Sequence, residues 1–187
     1  VNSVPLTDCF QRILQQIKCF IQVAQYNEDP QSCLADGLKI TDSVNLELFQ
    51  PESKAVLYAY KGHLHTYLGN STEANKAFSL AVDLCDNSSK AWALYGEYLE
   101  VAFTKNPKNL INSGVSALTC FLHASRENNE IKTRKYLSKV LYLLTYDEAR
   151  VDMLKAFENY MLVVPMINSL VWIPQLFNGL VQYESDT

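Results

Sequence analysis

The sequence contains one pattern of aromatic and small residues twice, and this repetition constrains the fold more than any other feature. Each copy has an aromatic residue, a glycine four positions later, and then alanine, phenylalanine and alanine at spacings of four and three. The two copies are Tyr58, Gly62, Ala74, Phe78 and Ala81, and Trp92, Gly96, Ala117, Phe121 and Ala124. Spacings of three and four put side chains on one face of a helix, and small residues let two helices approach closely. Each copy therefore predicts a closely packed pair of antiparallel helices.

The distance between the copies indicates a repeat architecture. Tyr58 and Trp92 are 34 positions apart, which is the period of the tetratricopeptide repeat (TPR). Ala74 and Ala117 are 43 apart, because extra residues lie between the two helices of the second copy. The clearest repeats are residues 54–86 and 89–126. We therefore predict an all-α, right-handed solenoid of TPR-like helix pairs.

Apolar periodicity and capping residues extend the prediction to about nine helices. Asp29 followed by proline is a helix start signal, Asn70 with Glu73 resembles a capping box, and Asp147 is a candidate cap for the eighth helix. Apart from the eighth, the predicted helices cover residues 7–26, 30–44, 51–68, 70–85, 89–104, 110–126, 130–145 and 167–182. Four helix pairs leave one helix over, so we expect residues 1–187 to be part of a longer chain.

Composition excludes several classes of protein. The chain has only 6 Gly and 6 Pro, as expected for helices, and its net charge of -4 argues against nucleic acid as the main partner. The sequence has no apolar run of 18 residues, so we expect no membrane span. The five cysteines form no CxxC pair and fall in helical apolar patterns, which predicts reduced, buried thiols.

The sequence shows no pattern typical of catalysis, metal binding or cofactor binding. His63 and His65 are two positions apart and point to different sides of a helix, and neither a phosphate-binding glycine loop nor a GxSxG motif occurs. One basic cluster is present, consisting of Arg126, Lys132, Arg134, Lys135 and Lys139. Without interleaved aromatic residues, it is better explained as a solvated helix face than as a nucleic-acid contact. Trp92 and Trp172 lie in apolar stripes, which favours core packing over a role as exposed binding anchors.

Residues 54–183 resemble the transformation/transcription domain-associated protein (TRRAP) family, the pseudokinase branch of the phosphatidylinositol-3-kinase-related kinases. The resemblance rests on EANKAFSLAV at 73–82, KAWALYGEYLE at 90–100, GVSALTCFLHASRENNEIKTRKYLSKVLYLLTYDEA at 114–149 and VWIPQLFNGLV at 171–181. Its most distinctive short motif consists of Trp172, Ile173, Pro174, Gln175 and Leu176.

This resemblance implies that residues 1–187 are part of one FAT domain, the TPR-like solenoid that wraps the kinase-like domain. It further implies a non-catalytic nuclear scaffold of histone acetyltransferase coactivator complexes. Its partners would be complex subunits, transcription activators and the rest of its own chain, with no direct contact to nucleic acid or membrane. The family often has two adjacent prolines where this chain has Pro165 and Met166, so the turn before the last helix could differ.

Two other functions remain open from the sequence. One is a regulatory FAT solenoid of an active kinase of the wider family, which intact catalytic motifs downstream would reveal. The other is a free-standing TPR module that binds peptides. Modules of the co-chaperone type hold a peptide carboxylate with Lys, Arg and Asn side chains. The corresponding positions here are Tyr58, Lys61, His65, Trp92, Tyr95 and Leu99, which do not form such a clamp.

Overall fold

The computed structural model describes residues 6–127, 129–147 and 152–163, and these residues form eight α-helices, one short 3-10 helix and no strand. The α-helices are α1 (Leu6–Ala24), α2 (Pro30–Ser43), α3 (Pro51–Tyr67), α4 (Ser71–Leu84), α5 (Ser89–Lys105), α6 (Ile111–Ala124), α7 (Glu130–Leu144) and α8 (Asp152–Val163). The predicted all-α class is confirmed. The predicted ninth helix and the motif at 172–176 lie outside the described residues.

The chain divides into two compact units, residues 1–98 and 99–187, with the division inside α5. In the first unit α1 packs on α2, α2 on α3 and α3 on α4, while α1 also touches α3. Consecutive helices of this unit are thus neighbours. In the described part of the second unit, α6 packs against both α7 and α8. No helix in the described ranges is long and apolar enough to cross a bilayer.

Small residues allow the close approach of α3 and α4 in the first unit. Ala74 and Ala81 on α4 are fully buried, and so is the Phe78 ring between them. On α3, a Cβ added to Gly62 would lie 3.0 Å from the Phe78 ring. Glycine and alanine at these positions therefore leave the space that the phenylalanine fills.

In the second unit, the same combination of small residues and rings surrounds α6. Ala117, Phe121 and Ala124 have no exposed surface. Gly114, on the same helix, lies against Phe103 and Met153, and both of these side chains are fully buried. The sequence analysis did not identify Gly114, because the residues that require it lie on other helices.

The helix starts follow the capping signals in part. Asp29 accepts a hydrogen bond from the Ser32 N–H at 3.1 Å, as predicted for the start of α2. Asn70 is the N-cap of α4, but its side chain makes no capping hydrogen bond, so the predicted capping box is wrong. Asn70 instead follows Gly69, whose positive φ of 78° ends α3 in a tight turn.

Asp147 has the predicted capping role at the eighth helix, described over Asp152–Val163. Its carboxylate accepts hydrogen bonds from the Met153 N–H at 3.2 Å and the Leu154 N–H at 2.8 Å. These donors lie in the first turn of α8, whose N–H groups have no partner inside the helix. The buried carboxylate therefore satisfies two of them across a connecting segment.

The expectation that all five cysteines are buried holds for only two of them. All five thiols are free; Cys33 and Cys120 are buried, Cys85 is half-buried, and Cys9 and Cys19 are exposed. The buried stripe of α1 consists of Phe10, Leu14, Ile17, Ile21 and Ala24. Cys9 and Cys19 lie outside this stripe, so apolar neighbours in sequence do not bury them. Burial raises the pKa of Cys120 to about 12, which keeps this thiol protonated and unreactive.

Candidate interaction surface

The repeat positions form the interior of the helix pairs and make no site. All six small residues of the pattern are buried: Gly62, Ala74, Ala81, Gly96, Ala117 and Ala124. The two aromatic positions are half-buried at the edge of the core. Tyr58 packs against the core, and Trp92 does so while its indole N–H donates to the Asp86 carbonyl at 2.7 Å. Trp92 thus has a structural partner, in agreement with the core-packing interpretation.

His63 of α3 is packed as a structural side chain. His63 stacks on Tyr67 with a ring separation of 4.9 Å. Burial lowers the pKa of His63, an effect that nearby Glu97 opposes and Lys90 reinforces. Across residues 6–127, 129–147 and 152–163, no three His, Cys, Asp or Glu side chains are grouped closely enough to hold a metal ion.

The basic cluster of the second unit is engaged in contacts within the chain. Lys132 pairs with Glu127 at 2.6 Å, Lys139 with Glu100 at 2.5 Å, and Arg134 with Glu130. The Arg126 guanidinium donates to the Tyr160 hydroxyl at 2.8 Å, and the Lys135 ammonium lies 5.8 Å from the Tyr136 ring centre. These contacts favour a solvated helix face over a nucleic-acid site, because an ion-paired cation offers less charge to a phosphate.

A carboxylate clamp of the co-chaperone type would need free cations, and Lys61 is the lysine among the positions compared above. It lines a hollow of about 170 Å³ between α2 and α3, together with Thr41 and Tyr58. Lys61 already pairs with Asp42 at 2.6 Å. The structure therefore places a neutralised lysine where such a clamp would need a positive charge.

An apolar depression lies on α1 and α2, and we call it the α1/α2 groove. It has a volume of about 580 Å³ and is lined by Arg12, Gln15, Gln16, Cys19, Phe20, Val23, Cys33 and Ile40. The buried stripe of α1 faces the core, while Val23 keeps 50% of its surface exposed. The sequence analysis missed this groove. The sequence feature that could have indicated it is the set of apolar residues at 19, 20 and 23, outside the buried stripe. They make the apolar face of α1 wider than packing against one neighbouring helix requires.

The floor of this groove is fixed by close contact between the two helices. The Cys33 thiol donates to the Phe20 carbonyl at 3.5 Å. A Cβ added to Gly37 would lie 3.3 Å from the Phe20 Cβ, so α1 and α2 are in close contact at this position. The depression is therefore a formed feature of the helix pair.

Comparison with known proteins identifies the family. The FAT domain model matches residues 2–142. The chain is 46% identical over 184 residues to the transformation/transcription domain-associated protein of Mus musculus, an alignment with 98% of this chain and 7% of the mouse protein. It is 42% identical over 186 residues to transcription-associated protein 1 of Drosophila melanogaster, covering 100% of this chain and 5% of that protein.

A more distant relative carries the name of two complexes. The SAGA complex/NuA4 acetyltransferase complex subunit Tra1 of Schizosaccharomyces pombe is 32% identical over 178 residues, which cover 95% of this chain and 5% of the yeast protein. The chain thus spans a small part of the length of these relatives. Since the family model covers most of the chain, the chain belongs to the FAT domain family, and its resemblance to the transformation/transcription domain-associated proteins is confirmed.

Proposed function

We propose that the chain is a non-catalytic helical scaffold segment of a TRRAP-like subunit of histone acetyltransferase coactivator complexes. The observation that carries this proposal is the similarity along nearly the whole chain to proteins named as transcription-associated subunits, one of them a subunit of SAGA and NuA4. The segment would act in the nucleus, support assembly of the complex and serve its recruitment by transcription activators. Its partners would be proteins, without direct contact to nucleic acid.

The side-chain chemistry of the described residues supports a scaffold role. Several polar and charged side chains fix helices to each other. Glu100 pairs with Lys139 of another helix, and Tyr160 donates to the Leu122 carbonyl at 3.0 Å while accepting from Arg126. Such contacts hold helix positions rigidly, which a segment that presents surfaces to other subunits requires.

The test uses the full-length protein that contains this segment. Tagged at its own locus, it is purified from nuclear extract, and the co-purifying proteins are identified by mass spectrometry. We expect acetyltransferase subunits in the eluate and transfer of acetyl groups from acetyl-coenzyme A to histones. Purification without such subunits, or recovery of the protein only outside the nucleus, would contradict the proposal.

The same preparation tests the kinase alternative. Purified full-length protein is incubated with labelled ATP and magnesium, and phosphate transfer to itself and to a basic substrate protein is measured against an active kinase. The scaffold proposal expects no transfer above the background without enzyme. Saturable transfer that a kinase inhibitor abolishes would favour the regulatory solenoid of an active kinase.

A further inference from the structure

We draw no further inference here: the strongest candidate, the side-chain cluster of the first unit in which the Lys18 and Lys90 ammonium groups each lie 5.7 Å from the centre of the Tyr60 ring, consists of contacts that already join α1 and α5 to α3, and nothing in the structure shows what would bind there.

Discussion

At Gly114 two fully buried side chains occupy the space that any larger residue would need. A Cβ built there would lie 2.9 Å from the Phe103 ring and would collide with the terminal methyl of Met153. A helical Gly→Ala change normally gains about 1 kcal/mol of helix propensity. Here the collision opposes that gain, because neither neighbour has exposed surface into which it could move.

We predict that Gly114→Ala destabilises the chain by about 1–3 kcal/mol through overpacking. Urea unfolding followed by circular dichroism measures the change. Shortening one neighbour provides the control, since in a Met153→Ala background the added methyl group enters vacated space. Its cost there should fall or change sign. A cost of the same size in both backgrounds would show that Met153 is not the cause.

The Glu100–Lys139 ion pair joins α5 to α7 and is partly shielded from solvent. Its Nζ–Oε2 distance is 2.5 Å, and the two side chains are 10% and 32% exposed. Lys139→Met removes the cation and leaves a shielded carboxylate unpaired. We expect a loss of about 1–3 kcal/mol in the free energy of unfolding, measured with urea. The double variant with Glu100→Gln should recover most of it, and strictly additive effects would argue against a direct pair.

His63 gives the first unit a dependence on pH. Burial holds the pKa of its imidazole in the folded chain below the ordinary value of 6.5. The unfolded chain therefore binds a proton first as the pH falls. The stability that neutral His63 contributes is present above pH 6.5 and is lost progressively below it.

We predict that His63→Gln reduces the loss of stability between about pH 7.5 and about pH 5.5, because glutamine does not titrate in this range. Urea midpoints of both proteins at the two pH values measure it. Identical losses in the variant and the parent protein would assign the pH dependence to other groups.

At the scale of helices, two residues with the same predicted role differ in the structure. Asp29 accepts a hydrogen bond from Ser32 at the start of α2, whereas Asn70 makes no side-chain bond at the start of α4. We predict that Asp29→Ala costs about 1 kcal/mol and Asn70→Ala clearly less. Thermal or urea unfolding of the two alanine variants compares them directly. A larger loss at Asn70 would contradict the assigned caps.

The same comparison explains how far the sequence predicts the helices. Helix periods and cap residues are local signals, and they place α1 to α7 within a few residues of the observed bounds. They also place Ala74, Ala81 and Phe78 inside the helix pair. Whether a cap side chain accepts a hydrogen bond from the first turn depends on the backbone conformation of the residues before the helix. A local sequence pattern does not determine that conformation.

Features that depend on distant residues could not be predicted in this way. Gly114 is required by Phe103 and Met153, which belong to α5 and α8. The α1/α2 groove lies on the side of α1 that the other described helices do not cover. Sequence periodicity gives the width of the apolar face of α1 but not which part of it is covered, so it could not predict the exposure of Cys19 either. Positions that follow from the period of one helix are thus predictable, whereas positions set by contacts from several helices need the packed structure.

At the scale of the whole molecule, α5 determines where the chain can be divided. Its N-terminal half covers α4: the rings of Tyr95 and Tyr98 lie 5.4 and 5.2 Å from the Phe78 ring. Their hydroxyls donate to Asn75 at 2.9 Å and to the Ser71 carbonyl at 3.2 Å. The first unit is therefore completed by a helix that continues into the second.

We predict that a chain ending after residue 105 unfolds cooperatively, whereas one ending after residue 88 is about 2–4 kcal/mol less stable or does not fold. In repeat arrays each helix pair is stabilised mainly by its neighbours, and the shorter chain loses the two tyrosine rings that cover Phe78. Urea unfolding of both chains measures the difference. As a control within residues 1–105, Tyr95→Ala should reproduce part of the loss, while Val101→Ala, at an exposed position, should change little. If residues 1–105 show no cooperative transition while residues 1–187 do, the first unit needs contacts beyond α5, and nearest-neighbour packing does not describe its stability.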